Sequence, residues 1–315
     1  MEPVTPLELT QSGAQHLQNG DLHQALKDLI VANDKMKKLV AEDFSVENRS
    51  FYGITCLNLA LVYQMMQDFE TFREYVRVGI RVLEDVLPER ESMETLLYLA
   101  SMSLQLAQVE ETEEDLETAE NWYKKTIDYQ TRVVELAEDP DAKEYAMQTL
   151  SQEYLLLTAL YQKKEDEENY LATLEQTVAQ KEALADAFPA PYNRADAAMG
   201  KETLAGVLGT KAPARAEVLF REAVNVLEQQ AAIEPDIGDV LVQVYRDFSV
   251  FLQQQGQSEE ALEFFGKAEE LAKSRQGARD AEVGSYLENA IFSEDPSLQE
   301  ADRTRAQLFP EDGEI

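Results

Sequence analysis

The sequence has little of several residue types, and each scarcity excludes a class of protein. A single cysteine, Cys56, among 315 residues excludes an internal disulfide and any metal site built from several cysteines. With only 13 glycines and 10 prolines, the chain is short of the turn residues that an all-β protein needs. Two histidines, His16 and His23, are too few for a zinc site of three or four ligands. We therefore expect neither a metal nor a cofactor.

Positive charge is also scarce. The chain has 28 Lys and Arg against 61 Asp and Glu, which gives a formal net charge of −33. Nucleic acid is a poor partner for such a chain, because phosphate binding needs clustered basic residues. An anionic membrane surface is disfavoured for the same reason. An acidic surface favours solubility, and it would attract a basic partner. We expect a protein or peptide partner that is neutral to basic.

Long apolar runs and catalytic motifs are missing as well. The most apolar stretch, residues 96–107, is too short to span a bilayer. The first ten residues, MEPVTPLELT, lack the basic and apolar regions of a signal peptide, so we expect a cytoplasmic protein. The chain contains no HExxH, GxSxG or phosphate-binding glycine loop. We therefore expect no catalytic residues, and we expect that the protein is not an enzyme.

What the chain does have is helical periodicity, and one stretch supplies a template for it. Residues 251–272 read FLQQQGQSEEALEFFGKAEELA. An apolar helix end is followed by Gly256, which can turn the chain, and by Ser258, a residue type that caps helices. The second helix then carries Ala261, Phe265 and Ala268 at positions where small and aromatic residues let two helices approach closely. This pattern predicts a helical hairpin with those three residues packed.

The template recurs along the chain. A matching second helix is found at Ala25, Leu29 and Ala32; at Phe72, Val76 and Gly79; at Ala119, Tyr123 and Thr126; and at Ala216, Phe220 and Ala223. Ala25, Phe72 and Ala119 are each 47 residues apart. Since a lone hairpin cannot bury its apolar face, copies at a fixed period predict a stacked array.

Two copies depart from the template. In the third, the helix containing Leu99 and Ala100 is separated from Ala119 by about seven extra residues, which include the acidic run EETEEDLE at 110–117. This run reads as a solvated inserted loop. In the fourth copy, several registers around Ala172 and Ala179 fit equally well. The spacing of the other copies nevertheless predicts six hairpins between residues 5 and 274.

These repeats resemble the tetratricopeptide repeat (TPR), above all in GDLHQALKDLIVA and GQSEEALEFFGKAEELA. A period near 47 is longer than the usual 34 and would also suit HEAT or armadillo repeats, but the Gly–Asp turn and the Ala–aromatic–Ala spacing favour TPR. The resemblance implies an all-α, α-α superhelix (a TPR-like solenoid) of about six hairpins with C-terminal capping helices. It places the repeat array at 1–274 and the capping helices with an acidic tail at 275–315. The alternative is that this last segment folds into the groove as a regulatory tail.

The resemblance also implies a ligand groove, since the first helices of TPR hairpins line the concave surface. By helical register, the candidate peptide-binding residues are Asn58, Met65, Tyr98, Gln105, Tyr145, Gln152, Gln243 and Arg246. Only one of them is basic, so a clamp for an acidic C-terminus is disfavoured. Amides and tyrosines suit an extended, neutral or mildly basic peptide, because an amide both donates and accepts hydrogen bonds. The other interpretation is a solvated wall that binds nothing.

The functional hypothesis is a non-enzymatic scaffold or adaptor that binds a peptide or a partner segment in this groove. The alternative is a regulatory sensor whose repeats respond to a small ligand or a signalling peptide. A deep closed pocket with convergent polar groups would favour the sensor, whereas an open groove would favour the scaffold. Neither the partner nor the oligomeric state follows from the sequence.

Overall fold

The computed structural model describes residues 4–292, and their side chains as far as residue 277. Within that range the chain forms twelve α-helices, one 3-10 turn at Pro235–Ile237 and no strand. The helices are α1 Pro6–Gln18, α2 Leu22–Glu42, α3 Val46–Met65, α4 Phe69–Glu84, α5 Met93–Thr112, α6 Leu116–Leu136, α7 Pro140–Lys163, α8 Glu167–Ala187, α9 Pro191–Leu208, α10 Pro213–Ala231, α11 Gly238–Gln254 and α12 Ser258–Phe292. The predicted all-α fold is confirmed.

Consecutive helices pack in pairs, which confirms the six predicted TPR-like hairpins. Four of them, α1–α2, α3–α4, α5–α6 and α7–α8, lie in a compact unit that ends at Pro189. The other two, α9–α10 and α11–α12, lie in a second unit that begins at Ala190. In the first unit α2, α4 and α6 also pack against the first helix of the next hairpin, so that their apolar faces are covered by stacking.

The turns inside the four hairpins of the first unit share one design. An aspartate caps the second helix by accepting a hydrogen bond from the backbone N–H three residues ahead. The residue before it has a positive φ, which tightens the turn. The caps are Asp21, Asp68, Asp115 and Asp166, and the preceding residues are Gly20 (φ 78°), Gln67 (61°), Glu114 (64°) and Glu165 (56°). The capping aspartate therefore marks the hairpin more reliably than glycine does.

The loop predicted within the third hairpin is wrong. Helix α5 continues through Glu110 to Thr112, and Asp115 follows after the same short turn as in the other hairpins. Leu106 therefore matches Leu59, from which it is separated by 47 residues. The predicted counterpart, Leu99, lies two helical turns too early. The acidic run is the end of one helix, a turn and the start of the next helix.

The fourth hairpin has a defined register, although the sequence left several open. Leu174 and Thr177 are buried eight and eleven residues after the cap Asp166. These are the offsets found in the third hairpin for Tyr123 and Thr126 after Asp115. Ala172 and Ala179, around which the sequence pattern was ambiguous, are exposed.

The exposure of the residue eight positions after the helix cap distinguishes the last hairpin from the others. In five hairpins its side chain is at most 3% exposed: Leu29, Val76, Tyr123, Leu174 and Phe220. Each of the two best-defined examples packs on the next hairpin, since Leu29 shares a core cluster with Leu59, and the Phe220 ring lies 5.2 Å from the rings of Phe248 and Phe251.

In the sixth hairpin the equivalent residue, Phe265, is 50% exposed. The prediction that it packs is therefore wrong, whereas the predicted burial of Ala261 and Ala268 is confirmed. The aromatic that packs against α11 is Phe264, whose ring lies 4.7 Å from that of Phe248. Phe265 lies at the position where a following hairpin would pack. It is exposed because α12 belongs to the last hairpin that the structure describes.

The end of the described chain corrects another prediction. We expected a helix break within SRQGARD, residues 274–280, but α12 runs without interruption from Ser258 to Phe292. The second predicted capping helix, at 296–309, lies outside the described residues. The division into an array at 1–274 and a capping segment at 275–315 stays a prediction.

Candidate peptide-binding groove

The first helices α3 and α5 lie side by side in the first unit, and their uncovered faces form a groove, the α3–α5 groove. The α3 side is a stripe of partly or fully exposed side chains at helical spacing: Phe51, Ile54, Asn58, Leu61 and Met65. The α5 side carries Glu94, Tyr98, Ser101, Gln105 and Gln108. From Phe51 to Met65 the α3 stripe is about 21 Å long, the span of roughly six residues of extended peptide.

One end of the groove is a cleft of about 130 Å³, the Tyr98 cleft. Its apolar lining is formed by Ile54 together with the buried side chains of Leu83 and Val86, and Ser50, Ser92 and Thr95 add hydroxyl groups to it. Aromatic rings wall it on both sides, and three charged side chains stand at its rim. The rings are Phe51 and Tyr98, and the charged side chains are Glu47, Arg90 and Glu94.

Two residues of α3 that lie outside the cleft fix its shape. Gly53 lets α4 approach, because a Cβ at that position would lie 2.6 Å from two side-chain carbons of Leu83. Arg49 is buried, and its guanidinium donates to the backbone oxygen of Asp85 at 3.0 Å and to the Glu89 carboxylate at 2.8 Å. These bonds hold the segment after α4 against α3, and so they position Val86 and Arg90.

The rim of the Tyr98 cleft carries two carboxylates and one guanidinium. Arg90 pairs with Glu47 at 2.9 Å, but both side chains are more than 60% exposed, so the pair is weak. Glu94 is exposed beside Tyr98. The pKa of the Tyr98 hydroxyl is raised, chiefly by partial burial and further by the nearby Glu94 carboxylate. The cleft therefore combines apolar, aromatic and hydroxyl-bearing side chains with a mildly negative edge.

The other end of the groove is an open depression of about 430 Å³, the Met65 hollow. It is lined mainly by amide and apolar side chains: Gln64, Met65, Gln67, Phe69, Gln108, Val109, Thr112 and Glu113. Its α5 wall is anchored from behind, where Arg73 binds both carboxylate oxygens of the buried Glu110 at 3.0 Å. Paired in this way, the buried carboxylate fixes the end of α5.

Between the two ends lie Asn58 and Gln105, both half-buried. The Gln105 amide nitrogen donates to the Ser101 hydroxyl at 3.1 Å, and its amide oxygen is buried without a hydrogen-bond partner among the described residues. Because this oxygen has almost no accessible surface, a ligand N–H could bond to it only after the Gln105 side chain changes its rotamer.

The structure therefore brings four of the predicted groove residues to one surface: Asn58, Met65, Tyr98 and Gln105. Sequence reasoning missed Phe51, Ile54 and Glu94, although the first two continue the helical spacing of Asn58 back toward the start of α3. It also missed the part of the cleft lining that comes from α4 and the segment after it.

The other four predicted residues lie elsewhere. Tyr145 and Gln152 are exposed on α7 and line neither the Tyr98 cleft nor the Met65 hollow. In the second unit, Gln243 donates to Asp247 at 2.9 Å, and Arg246 pairs with Glu269 at 2.9 Å. Arg246, the single basic residue of the set, is thus neutralised by its own hairpin. A binding role for these four stays a prediction.

The one cysteine is unsuited to nucleophilic chemistry. Cys56 is fully buried in α3, and burial raises the pKa of its thiol to about 12. The thiolate, which is the reactive form, is therefore scarce at neutral pH.

Among the described residues, none of the helices has the length and hydropathy needed to cross a membrane.

No known protein family profile and no curated protein matches the chain. Solved structures match it with low identity. BtubC from P. vanneervenii is 12% identical, over 81% of this chain and 92% of that one, with a TM-score of 0.44. The nuclear import adaptor Nro1 of S. pombe is 13% identical, over 86% and 90%, with a TM-score of 0.42. Acl4, an assembly chaperone of RpL4, is 17% identical, over 89% and 100%, with a TM-score of 0.40. With TM-scores below 0.5, the fold assignment rests on the helix packing described above.

Proposed function

We propose that the protein is an interaction scaffold that captures an extended segment of a partner protein in the α3–α5 groove. The observation that carries this proposal is the combination of exposed apolar side chains and half-buried amides along one uncovered surface. Phe51 and Met65 are 39% and 56% exposed at its two ends. Apolar groups placed in this way release water when a partner covers them, while Asn58 and Gln105 between them can bond to a peptide backbone.

The sensor alternative finds less support in the same geometry. Sites for small molecules commonly enclose about 300–1,000 Å³ and bury most of the ligand. The Tyr98 cleft encloses about 130 Å³, which is the room for one side chain, and the larger Met65 hollow is open. A surface made of one small hole and a shallow extension suits a partner chain that lies along it.

Site-specific photo-crosslinking in the native cell tests the proposal. Benzoylphenylalanine is placed at Leu61, Met65 or Ser101 in the groove, and at Glu74 of α4 or Gln176 of α8 as exposed control positions. We expect the same adduct from all three groove positions and not from the controls, because a captured segment contacts only the groove.

A double variant tests whether the crosslinks depend on the side chains of the groove. Tyr98→Ala with Gln105→Ala removes a wall of the cleft and the central amide while the helices stay intact. We expect the adduct at Met65 to fall strongly in this variant, with circular dichroism unchanged. Equal adducts from groove and control positions, or adducts that survive the double change, would show that the groove is not the binding surface.

A further inference from the structure

We infer, building on the proposed function, that the Tyr98 cleft is an anchor site for one aromatic or long aliphatic side chain of the partner, flanked by a basic residue. The proposed partner is thus a segment in which a large apolar side chain stands next to lysine or arginine.

The size and lining of the cleft define the apolar part of this ligand. An apolar cavity of about 150 Å³ in a protein interior binds benzene, so the Tyr98 cleft, at about 130 Å³, suits a single ring or a leucine-sized side chain. Its lining is in part apolar, and the rings of Phe51 and Tyr98 can pack edge-to-face or offset on an inserted ring.

The rim defines the basic part. Glu47 and Glu94 outnumber Arg90 at the rim, so a ligand meets an excess of one negative charge at the mouth. A lysine or arginine beside the anchor would bind there, and the net charge of −33 on the chain would favour its approach. An acidic flank would be repelled by both.

The cleft lies at the start of the groove, and this position suits a side chain of a longer peptide better than a free small molecule. Phe51 and Tyr98 belong both to its walls and to the stripes of the α3–α5 groove, so an anchored side chain would leave its backbone at the start of the groove. Asn58 and Gln105 follow along the two helices toward the Met65 hollow. A peptide can therefore gain contacts that a free aromatic amine cannot.

Fluorescence anisotropy with synthetic peptides and the full chain tests the inference. The probe is a short labelled peptide with Lys-Phe-Lys at its centre, compared with Lys-Ser-Lys and Glu-Phe-Glu versions. We expect the Lys-Phe-Lys peptide to bind, and each altered peptide to bind roughly tenfold or more weakly. Free phenylalanine amide, used as a competitor, should displace the peptide only at far higher concentration.

Variants of the protein locate the binding. Ser50→Phe fills the cleft and should weaken the Lys-Phe-Lys peptide roughly tenfold, whereas Ala172→Phe on α8 should not. Glu94→Gln should reduce the preference for lysine, with Glu70→Gln on α4 as its control; both positions are exposed, so folding is not at risk.

Each negative result has a definite meaning. No binding of Lys-Phe-Lys, equal binding of Glu-Phe-Glu, or binding unaffected by both Ser50→Phe and Glu94→Gln would overturn the inference. Displacement by phenylalanine amide at equal concentration would assign the cleft to a small ligand instead. If the photo-crosslinks at the groove persist in any of these cases, the scaffold function stands and only the anchor is wrong. If the crosslinks also fail, the groove itself is not the site.

Discussion

Met102 and Glu153 occupy the same position in successive hairpins, thirteen residues before the capping aspartates Asp115 and Asp166. Both are buried. Met102 packs against the preceding hairpin, where a Cβ on Gly79 would lie 2.9 Å from its sulfur. Glu153 instead carries a carboxylate oxygen with no hydrogen-bond partner among the described residues, and burial raises its pKa to about 8. The same repeat position thus holds a buried apolar side chain in the third hairpin and an uncharged carboxylic acid in the fourth.

The second hairpin gives a third version of this position. There Thr55 is fully buried, and its hydroxyl lies 2.9 Å from that of Thr10 on α1, within hydrogen-bond distance. The comparison shows that a side chain buried at this position needs no fixed chemistry, although the equivalent residue of the first hairpin, Glu8, is exposed. A methionine, a paired hydroxyl and a protonated carboxyl all fit, because each is uncharged in the folded state.

The largest effect on stability is expected when the glutamate of the fourth hairpin is placed at the equivalent methionine position of the third. Met102→Glu should lower the free energy of unfolding by about 3–5 kcal/mol at pH 8, because it buries a carboxylate without a partner. Urea denaturation measures this loss. Met66→Glu, at a 50% exposed methionine, is the control and should change stability by less than about 0.5 kcal/mol. A small loss at Met102 would mean that water or a cation reaches this position.

The reverse exchange should stabilise the protein. Glu153→Met removes an unpaired polar group from the interior and should raise the free energy of unfolding by about 3–4 kcal/mol at pH 8. The gain should shrink at pH 5, where the wild-type carboxyl is protonated. Denaturation at the two pH values measures both numbers, and a gain that does not depend on pH would contradict the raised pKa.

A third variant isolates the proton itself. Because the folded state holds the Glu153 proton up to about pH 8, and the unfolded chain releases it near the usual 4.5, stability should fall as the pH rises between these values. A single proton gives a slope of at most about 1.4 kcal/mol per pH unit. Glu153→Gln stays neutral and should lack this component. If its profile of stability against pH is parallel to that of the wild type, Glu153 is ionised in the fold.

The smallest effect is expected at the paired hydroxyl. Thr55→Val should cost about 0.5–1.5 kcal/mol, because it leaves the Thr10 hydroxyl without this partner. The double variant Thr10→Val with Thr55→Val should recover much of that loss, since no unpaired group remains. Thermal melts of the two single variants and the double variant decide this. An additive loss would mean that the two hydroxyls do not interact.

Much of the hairpin layout could be predicted from the sequence because its signals are local. Asp21, Asp68 and Asp115 recur at an interval of 47 residues, and each follows a residue that turns the chain. Local signals are weaker in the third and fourth hairpins, whose turns carry Glu114 and Glu165 in place of glycine. A missing glycine is not the whole cause, because Gln67 occupies the same position in the second hairpin, whose register the sequence predicts.

The candidate site was less predictable because it depends on contacts between distant segments. The helical spacing of α3 predicts that Asn58 and Met65 lie on its uncovered face, and that of α5 predicts the same for Tyr98; their binding role stays a prediction. The Tyr98 cleft exists because Leu83 and Val86 come from the end of another helix and the residues after it, and because Gly53 lets that helix approach. No pattern within α3 or α5 contains this information. The exposure of Phe265 was missed for a related reason, since its repeat position is buried only when another hairpin follows.

The exposed ring of Phe265 also bears on how such a chain can be lengthened. Leu29, Val76, Tyr123 and Phe220 already use this position to pack on the next hairpin, so a graft after the sixth needs no new surface on α12. A copy of residues 238–272, fused in register behind α12, would meet a docking residue of the kind that Phe220 offers to Phe248 and Phe251. Duplication of a hairpin is for this reason a short evolutionary step for the protein, and an accessible one for engineering.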